Sequence, residues 1–126
     1  MISIDTKLVI LFGSSATGTA GSHSDADVAV LADHILSLRE LGEISHDIAE
    51  ELHVSEDKID IVDLSRASPL LQYEIATQGK LLHGDNADFV RFKVLAWKRY
   101  MDTAKLRRIR AQSLTQYVQR SHSQKT

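Results

Sequence analysis

The feature that most constrains this chain is a small, hydroxyl-rich stretch between two apolar runs near the N-terminus. The first run, LVILF, stops at Gly13-Ser14, and ten residues later Asp25 and Asp27, two positions apart, open the second run, VAVL. Short apolar runs bounded by turn-forming residues are typical of buried strands. Alternate residues of a strand point to the same face, so the two aspartates are expected to converge.

Converging carboxylates predict a metal site. Two like charges side by side repel each other unless a cation lies between them. Mg²⁺ suits this position because it prefers hard oxygen ligands and retains waters and substrate phosphates. A third carboxylate is expected from the strand IDIVDL, where Asp60 lies between apolar neighbours and Asp63 lies near the end. We predict Asp60 as the third metal ligand and the general base, beside Asp25 and Asp27. Asp63 stays open as the alternative third ligand.

The turn after the first strand is predicted to bind phosphate. Gly13 allows a tight turn and a close approach of the backbone, and Ser14 offers a hydroxyl and an N–H at a helix N-terminus, which favours anions. Ser15 is included in the same phosphate-binding turn. A P-loop is excluded because Gly13 and Gly18 have the required spacing but the Lys that must follow is missing.

The rest of the chain predicts an α/β protein with a small mixed sheet, flanking helices and a long C-terminal helix. Asp33 is expected to cap the first long helix, and Ser65 or Ser68 the next. The predicted strands cover residues 7–12, 25–32, 59–64 and 80–83, and the predicted helices cover 35–53, 69–78 and 87–117, with a short one within 13–24.

Charge divides the chain into two parts. Residues 1–90 carry five Lys and Arg against 16 Asp and Glu, a net charge of −11, whereas residues 91–126 carry ten against one, a net charge of +9. Such a split is typical of a terminal interaction segment. With 126 residues we expect one domain, with a core over residues 1–85 and a basic helix over 86–126 that frays at its end.

The sequence resembles the minimal nucleotidyltransferases of the polymerase-beta-like superfamily. The resemblance covers about residues 7–84 and is carried by LFGSSATGTAGSHSDADVAVL, KIDIVDL and PLLQYEIATQGKLLHGD. It implies that fold and an enzyme that transfers AMP from ATP. In this family Asp25, Asp27 and Asp60 would hold Mg²⁺, while Gly13 and Ser14 would hold the triphosphate.

The resemblance also implies a partner. Many such proteins are encoded beside a helical HEPN ribonuclease toxin and act as its antitoxin by transferring AMP to a tyrosine hydroxyl of the toxin. Two alternatives stay open: an enzyme that modifies a small molecule such as an antibiotic, and a non-catalytic antitoxin that masks its toxin through the basic helix. Nucleic acid is a less expected partner, because the chain is acidic overall and carries no recognised nucleic-acid module.

The sequence departs from the family at one point. Family members often carry Arg or another large residue after Gly-Ser and another Arg a few positions on, whereas Ser15-Ala16-Thr17 supplies no positive charge. The triphosphate then needs a cation from elsewhere, and Lys7, Lys58, Lys80 and the basic tail are candidates.

The composition bears on the cellular location of the protein. The chain has no cysteine, which excludes disulfide and thiol chemistry, and no apolar stretch approaches the ~20 residues of a membrane span. We therefore expect a cytoplasmic protein without a membrane partner.

Overall fold

The computed structural model describes residues 6–13 and 25–124, with side chains up to residue 120. The predicted short helix within 13–24 lies outside these residues, as do Ser14 and Ser15. The strands of the described part are β1 Thr6–Phe12, β2 Ala26–Ala32, β3 Ile59–Asp63 and β4 Lys80–His83. They form one mixed sheet in the order β3-β2-β1-β4. Strand β1 is antiparallel to β2 and β4, whereas β2 and β3 are parallel.

Three helices flank this sheet in the described part of the chain. Short 3₁₀ turns at Glu56–Lys58 and Leu64–Arg66 precede and follow β3. The order of strands and helices confirms the predicted α/β class with a long C-terminal helix. The helices are α1 Leu38–Leu52, α2 Pro69–Gln78 and α3 Asn86–Gln124.

Each face of the sheet has its own hydrophobic core, because successive residues of a strand point to opposite faces. One core packs beneath α1 and includes Val9, Val28 and Ile48, all fully buried. The other packs beneath α2 and α3 and joins strand residues such as Ile10 to Ile75 and to the start of α3. Full burial of a Leu or Ile side chain stabilises a fold by about 1.5–3 kcal/mol, so both faces contribute to the stability of this domain.

The prediction that Asp33 caps the first helix was wrong. Helix α1 begins at Leu38, and the Ser37 hydroxyl accepts a hydrogen bond from the Glu40 N–H at 3.1 Å. The Glu40 carboxylate in turn accepts one from the Ser37 N–H, also at 3.1 Å. This reciprocal capping box satisfies two backbone donors at once, whereas Asp33 bonds the neighbouring His34 ring.

The second helix begins where one of the two predicted caps placed it. Ser68 caps α2 by accepting from the Leu71 N–H, and Pro69 takes the first helical position, where no N–H is needed. Gly79 follows the helix at a negative φ of −76°. A Cβ on Gly79 would lie 2.4 Å from the Ile10 side chain, so glycine is required here for the close approach of α2 to β1.

Helix α3 is longer than predicted and has two unlike halves. It reaches Gln124, well beyond the predicted end at residue 117, and its 39 residues span about 58 Å. Phe89, Phe92 and Ala96 in the first half are buried against the sheet, while residues 108–120 are all exposed. Within the described residues, no helix is both long and apolar enough to cross a bilayer.

Candidate active site

The predicted catalytic carboxylates meet at one end of the sheet. The parallel register of β2 and β3 places Asp27 directly beside Asp60. The Asp27 side chain lies on the face covered by α2 and α3, because it is two residues from Ala29, which belongs to that core. Asp60 lies on the same face, because its neighbours Ile59 and Ile61 pack against the core on the opposite face. Asp25 lies just before β2 and is exposed.

The electrostatics of Asp27 reflect this crowding. Burial, the negative charge of Asp60 and then that of Asp25 raise the pKa of the Asp27 carboxyl above its ordinary value. A hydrogen bond between the Asp27 and Asp60 side chains adds to the same shift, since it holds a proton between the two groups. The fold therefore brings Asp60 and Asp25 close enough to Asp27 for their negative charges to disfavour ionisation of the Asp27 carboxyl.

Gly13 packs directly on Asp27 of this carboxylate pair. It follows β1 with φ of +73°, in the left-handed region that glycine adopts without strain. A Cβ at this position would lie 2.4 Å from Oδ2 of Asp27. The backbone turn after β1 therefore approaches Asp27 more closely than any other residue type allows. From the sequence we predicted only a phosphate-binding role for Gly13, and this contact with Asp27 was missed.

Asp63, the alternative third ligand, occupies a different environment. It is only 6% exposed. One carboxylate oxygen accepts the Leu36 N–H at 3.0 Å, and the other accepts the Ser65 N–H at 3.0 Å and the Ser65 hydroxyl at 2.7 Å. These donors occupy the carboxylate and tie β3 to the segment that leads into α1. Asp60, not Asp63, is the acid of β3 that lies beside Asp27.

The oxygen ligands at this end of the sheet fit a divalent cation. Mg²⁺ in proteins is usually bound by one or two carboxylates together with waters and substrate phosphates, and Asp27 and Asp60 provide such a pair. Among residues 6–13 and 25–124, no three His, Asp or Glu side chains are already gathered into a metal-binding group. The exposed Asp25, just before β2, is the candidate for a third protein ligand.

The lysines proposed to neutralise a triphosphate are spread over both ends of the sheet. Lys58 immediately precedes Ile59, which pairs with Ala26 next to Asp25. Lys80 pairs with Leu11 near the end of β1. Lys7 lies at the start of β1, at the opposite end from the carboxylates. Of the three, Lys58 is the closest to Asp25 along the strand register.

The comparison with protein families settles the family of this chain. The model of the "Polymerase beta, Nucleotidyltransferase" family matches residues 4–88. The chain belongs to this nucleotidyltransferase family. The match covers all four strands and the carboxylates Asp25, Asp27 and Asp60, and it confirms the fold that the resemblance implied.

Two relatives carry the same name, "Protein adenylyltransferase MntA". The one from Shewanella oneidensis is 39% identical over 88 residues, which cover 70% of this chain and 61% of that protein. The one from Aphanizomenon flos-aquae is 30% identical over 122 residues, which cover 90% of this chain and 81% of that protein. The alignment with the first relative therefore spans less than two thirds of its length.

Solved structures of toxin–antitoxin complexes contain chains of the same fold. A crystal structure of a toxin–antitoxin with AMP-PNP has a chain that matches with a TM-score of 0.74 and 32% identity, over 90% of both chains. A structure of the tri-AMPylated Shewanella oneidensis HEPN toxin in complex with its MNT antitoxin matches with a TM-score of 0.66 and 30% identity, over 90% of this chain and 86% of that chain. These matches extend into the long helix α3.

Proposed function

We propose that this protein is a Mg²⁺-dependent protein adenylyltransferase that transfers AMP from ATP to a tyrosine hydroxyl of a HEPN ribonuclease toxin and so neutralises it. The observation that carries the proposal is the convergence of Asp27 and Asp60 beside Gly13, in a chain whose relatives are named protein adenylyltransferases. The neighbouring structures hold an ATP analogue in one case and an AMPylated HEPN toxin in another.

Each residue has a distinct role in the proposed reaction. The acceptor hydroxyl attacks the α-phosphorus of ATP, a new O–P bond forms, and the bond to the β-phosphate oxygen breaks to release diphosphate. Asp60 lies on the edge strand β3 and is exposed, so a protein acceptor can reach it and lose its hydroxyl proton to this carboxylate. Asp27 is more enclosed and holds its position against the Gly13 turn.

Asp25, Asp27 and Asp60 would hold Mg²⁺, and bound metal would supply neutralisation of the phosphate charge that builds up during transfer. Gly13, Ser14 and Ser15 would hold the triphosphate of ATP, with Ser14 and Ser15 outside the described residues. Lys58 is the cation we propose beside that triphosphate, because it adjoins Asp25 along the strand register. A cytoplasmic location belongs to the same proposal, since the donor ATP is an intracellular nucleotide.

Transfer of labelled AMP tests the proposal. The protein is incubated with ATP labelled at the α-phosphate, Mg²⁺ and a HEPN ribonuclease toxin as the acceptor. Label on the toxin is expected with the wild type and with Asp102→Asn, a matched control on the exposed part of α3, but not with Asp25→Ala/Asp27→Ala. Equal labelling by the wild type and the double variant would overturn it. Label on a supplied antibiotic instead of the toxin would favour the small-molecule enzyme.

One observation favours a second candidate, an antitoxin that masks its toxin without catalysis. The second half of α3 is basic and exposes large apolar side chains to solvent. Truncation after Ala104 removes this half while it leaves Phe89, Phe92 and Ala96 on the sheet. If the double Asp variant still neutralises the toxin and the truncated protein does not, masking replaces transfer as the function. The exposed apolar residues are Leu106, Ile109, Leu114, Tyr117 and Val118.

A further inference from the structure

A cavity lies on the same face of the sheet as the carboxylates, but at the opposite end. Its volume is about 370 Å³, and it forms where the ends of β1 and β2, the turn after β3 and helix α3 meet. Leu31 lines it and is four residues along β2 from Asp27, a separation of about 13 Å. The cavity is therefore distinct from the proposed nucleotide site.

The cavity has an apolar floor. Leu64 is 1% exposed and Phe92 is 8% exposed, and both belong to the core beneath α2 and α3. Leu95, one turn further along α3, is 43% exposed and extends this apolar surface to the rim. A ligand in the cavity would thus bury an apolar body against carbon atoms that already form part of the core.

Three cationic side chains line the same cavity against one carboxylate. Arg91, Arg99 and Asp88 come from α3, at spacings that put them on one helix face. Lys7 comes from β1, at a register shift where Thr6 pairs with Ala32 and Leu8 with Leu31. Lys7 is the extra residue of this bulge, and a bulge re-aims its side chain.

Two of these cations are held in place by neighbouring groups. Gln72 is only 6% exposed, and its amide nitrogen donates to the carbonyl oxygens of Leu64 at 2.8 Å and Ala67 at 3.3 Å. The amide oxygen is thereby fixed, and it accepts a hydrogen bond from Nη1 of Arg99 at 3.0 Å. Arg91 donates to Asp88 at 2.8 Å. These contacts leave further guanidinium donors available to a ligand.

We propose that this cavity binds a small organic anion, an apolar body that carries a carboxylate, phosphate or sulfonate group. Its volume is at the small end of the ~300–1,000 Å³ typical of ligand pockets. Arginine forks recognise planar and tetrahedral oxyanions with two parallel hydrogen bonds. The lining carries three positive charges and one negative charge, in a chain whose overall net charge is −2. A bound anion would neutralise this excess of positive charge, whereas a neutral ligand would not.

A pair of fluorescent probes tests this proposal. 8-Anilinonaphthalene-1-sulfonate is an apolar anion, and N-phenyl-1-naphthylamine has the same aromatic body without the sulfonate. We expect the anion to bind the wild-type protein at least tenfold more tightly than the neutral probe. Arg99→Gln should weaken binding of the anion about tenfold, as loss of one charge-assisted contact predicts, and should leave binding of the neutral probe unchanged.

Two further variants keep the test valid even if Arg99→Gln disturbs the folding of the protein. Arg91→Gln removes one of the three lining cations and, within the protein, breaks only the surface contact with Asp88, so it should weaken binding of the anion about threefold. Arg110→Gln is the matched control, because this arginine is exposed on the same helix beyond the cavity, and its effect should be below twofold. Equal losses in Arg99→Gln and Arg110→Gln would place the probe on the free half of α3 and overturn the proposal.

Competition with nucleotide separates the cavity from the carboxylate site. Mg²⁺ and ATP should leave the affinity for the anionic probe unchanged within twofold, and so should Asp27→Asn. Displacement of the probe by Mg²⁺ and ATP in the wild type, lost in Asp27→Asn, would assign the probe to the carboxylate end and overturn the proposal. The assay contains no acceptor protein, so its outcome does not depend on the proposed transfer reaction.

Discussion

The two ends of the sheet treat carboxylates in opposite ways. At one end Asp27 and Asp60 lie side by side, and the negative charge of Asp60 disfavours ionisation of the Asp27 carboxyl. At the other end Asp63, three residues further along the same strand, is buried and accepts three hydrogen bonds. Asp63 stabilises the fold because hydrogen-bond donors surround its carboxylate. Asp27 and Asp60 lie beside each other instead, in an arrangement that a bound cation would stabilise.

Asp60→Asn should produce the largest effect, a loss of about 10³-fold in the rate of AMP transfer, or about 4 kcal/mol in the barrier. The amide removes the proposed base and one metal ligand together. The rate of label transfer to the toxin measures it. The urea midpoint should stay at or above that of the wild type, because Asp60 is exposed. A rate within threefold of the wild type would remove Asp60 from the mechanism.

Asp63→Ala should have the converse effect and destabilise the protein by about 3 kcal/mol. The substitution leaves the backbone N–H groups of Leu36 and Ser65 without their buried acceptor. Urea denaturation followed by circular dichroism measures the change. A loss below about 1 kcal/mol would contradict the structural role that we assign to this acid.

Gly13→Ala should cost about 2 kcal/mol of stability, since the positive φ and the approach to Asp27 both oppose a Cβ. The matched control is Gly42→Ala in α1, where a Cβ would meet nothing within 4 Å. That change should stabilise the protein by about 0.5–1 kcal/mol. If the two substitutions shift the thermal midpoint in the same direction, the close contact at Gly13 is wrong.

Asp27→Asn should stabilise the metal-free protein at pH 7 by about 0.5–1 kcal/mol while it abolishes transfer. The folded protein raises the pKa of Asp27, so it holds this proton more tightly than the unfolded chain. Ionisation of Asp27 therefore makes an unfavourable contribution to the stability of the wild type, which grows as pH rises from the unfolded pKa near 3.8 through the raised folded pKa. The Asn variant lacks this contribution, and thermal midpoints at pH 4 and pH 7 measure the difference. A wild type that gained stability relative to Asp27→Asn over this range would contradict it.

His34 gives the smallest expected effect. Hydrogen bonds to Asp33 and then Glu40 raise the pKa of this exposed imidazole to about 9. Protonated His34 stabilises the fold fully below its unfolded value of 6.5, and this contribution is lost as pH rises through about 9. His34→Gln should remove that part of the pH dependence. Parallel urea titrations at pH 6 and pH 10 compare the two proteins, and identical shifts in both would exclude a role for the imidazole.

Much of the fold follows from local sequence patterns. The four strands are short apolar runs bounded by polar or glycine residues, and the structure places them within one or two residues of the prediction. The start of α1 was mispredicted because Asp33 and Ser37 are both good capping residues within five positions. The deciding signal was present in the sequence, since Ser37 and Glu40 have the spacing of a capping box.

The relation between strands is harder to predict than the strands themselves. Asp60 was expected to join the site because a lone charged side chain between apolar strand residues is unfavourable without a functional role. Its position beside Asp27 depends on the parallel register of β2 and β3, which has no local sequence signature. The bulge at Lys7 could not be predicted either, because the sequence of a strand does not show which residue is left unpaired. The cavity at the opposite end of the sheet was missed for this reason, because its lining comes from five separate segments.

The continuity of α3 has a mechanical consequence. One unbroken helix runs from the buried Phe89 to Gln124, so its outer 20 residues form a lever about 30 Å long. A rotation of 10° where the helix leaves the sheet would carry its far end through about 5 Å, given that length. Small repacking beneath Phe92 and Ala96, next to the cationic cavity, is thereby magnified at the tip. Side-chain packing in the core and the position of the outer end of α3 are therefore mechanically coupled through this helix.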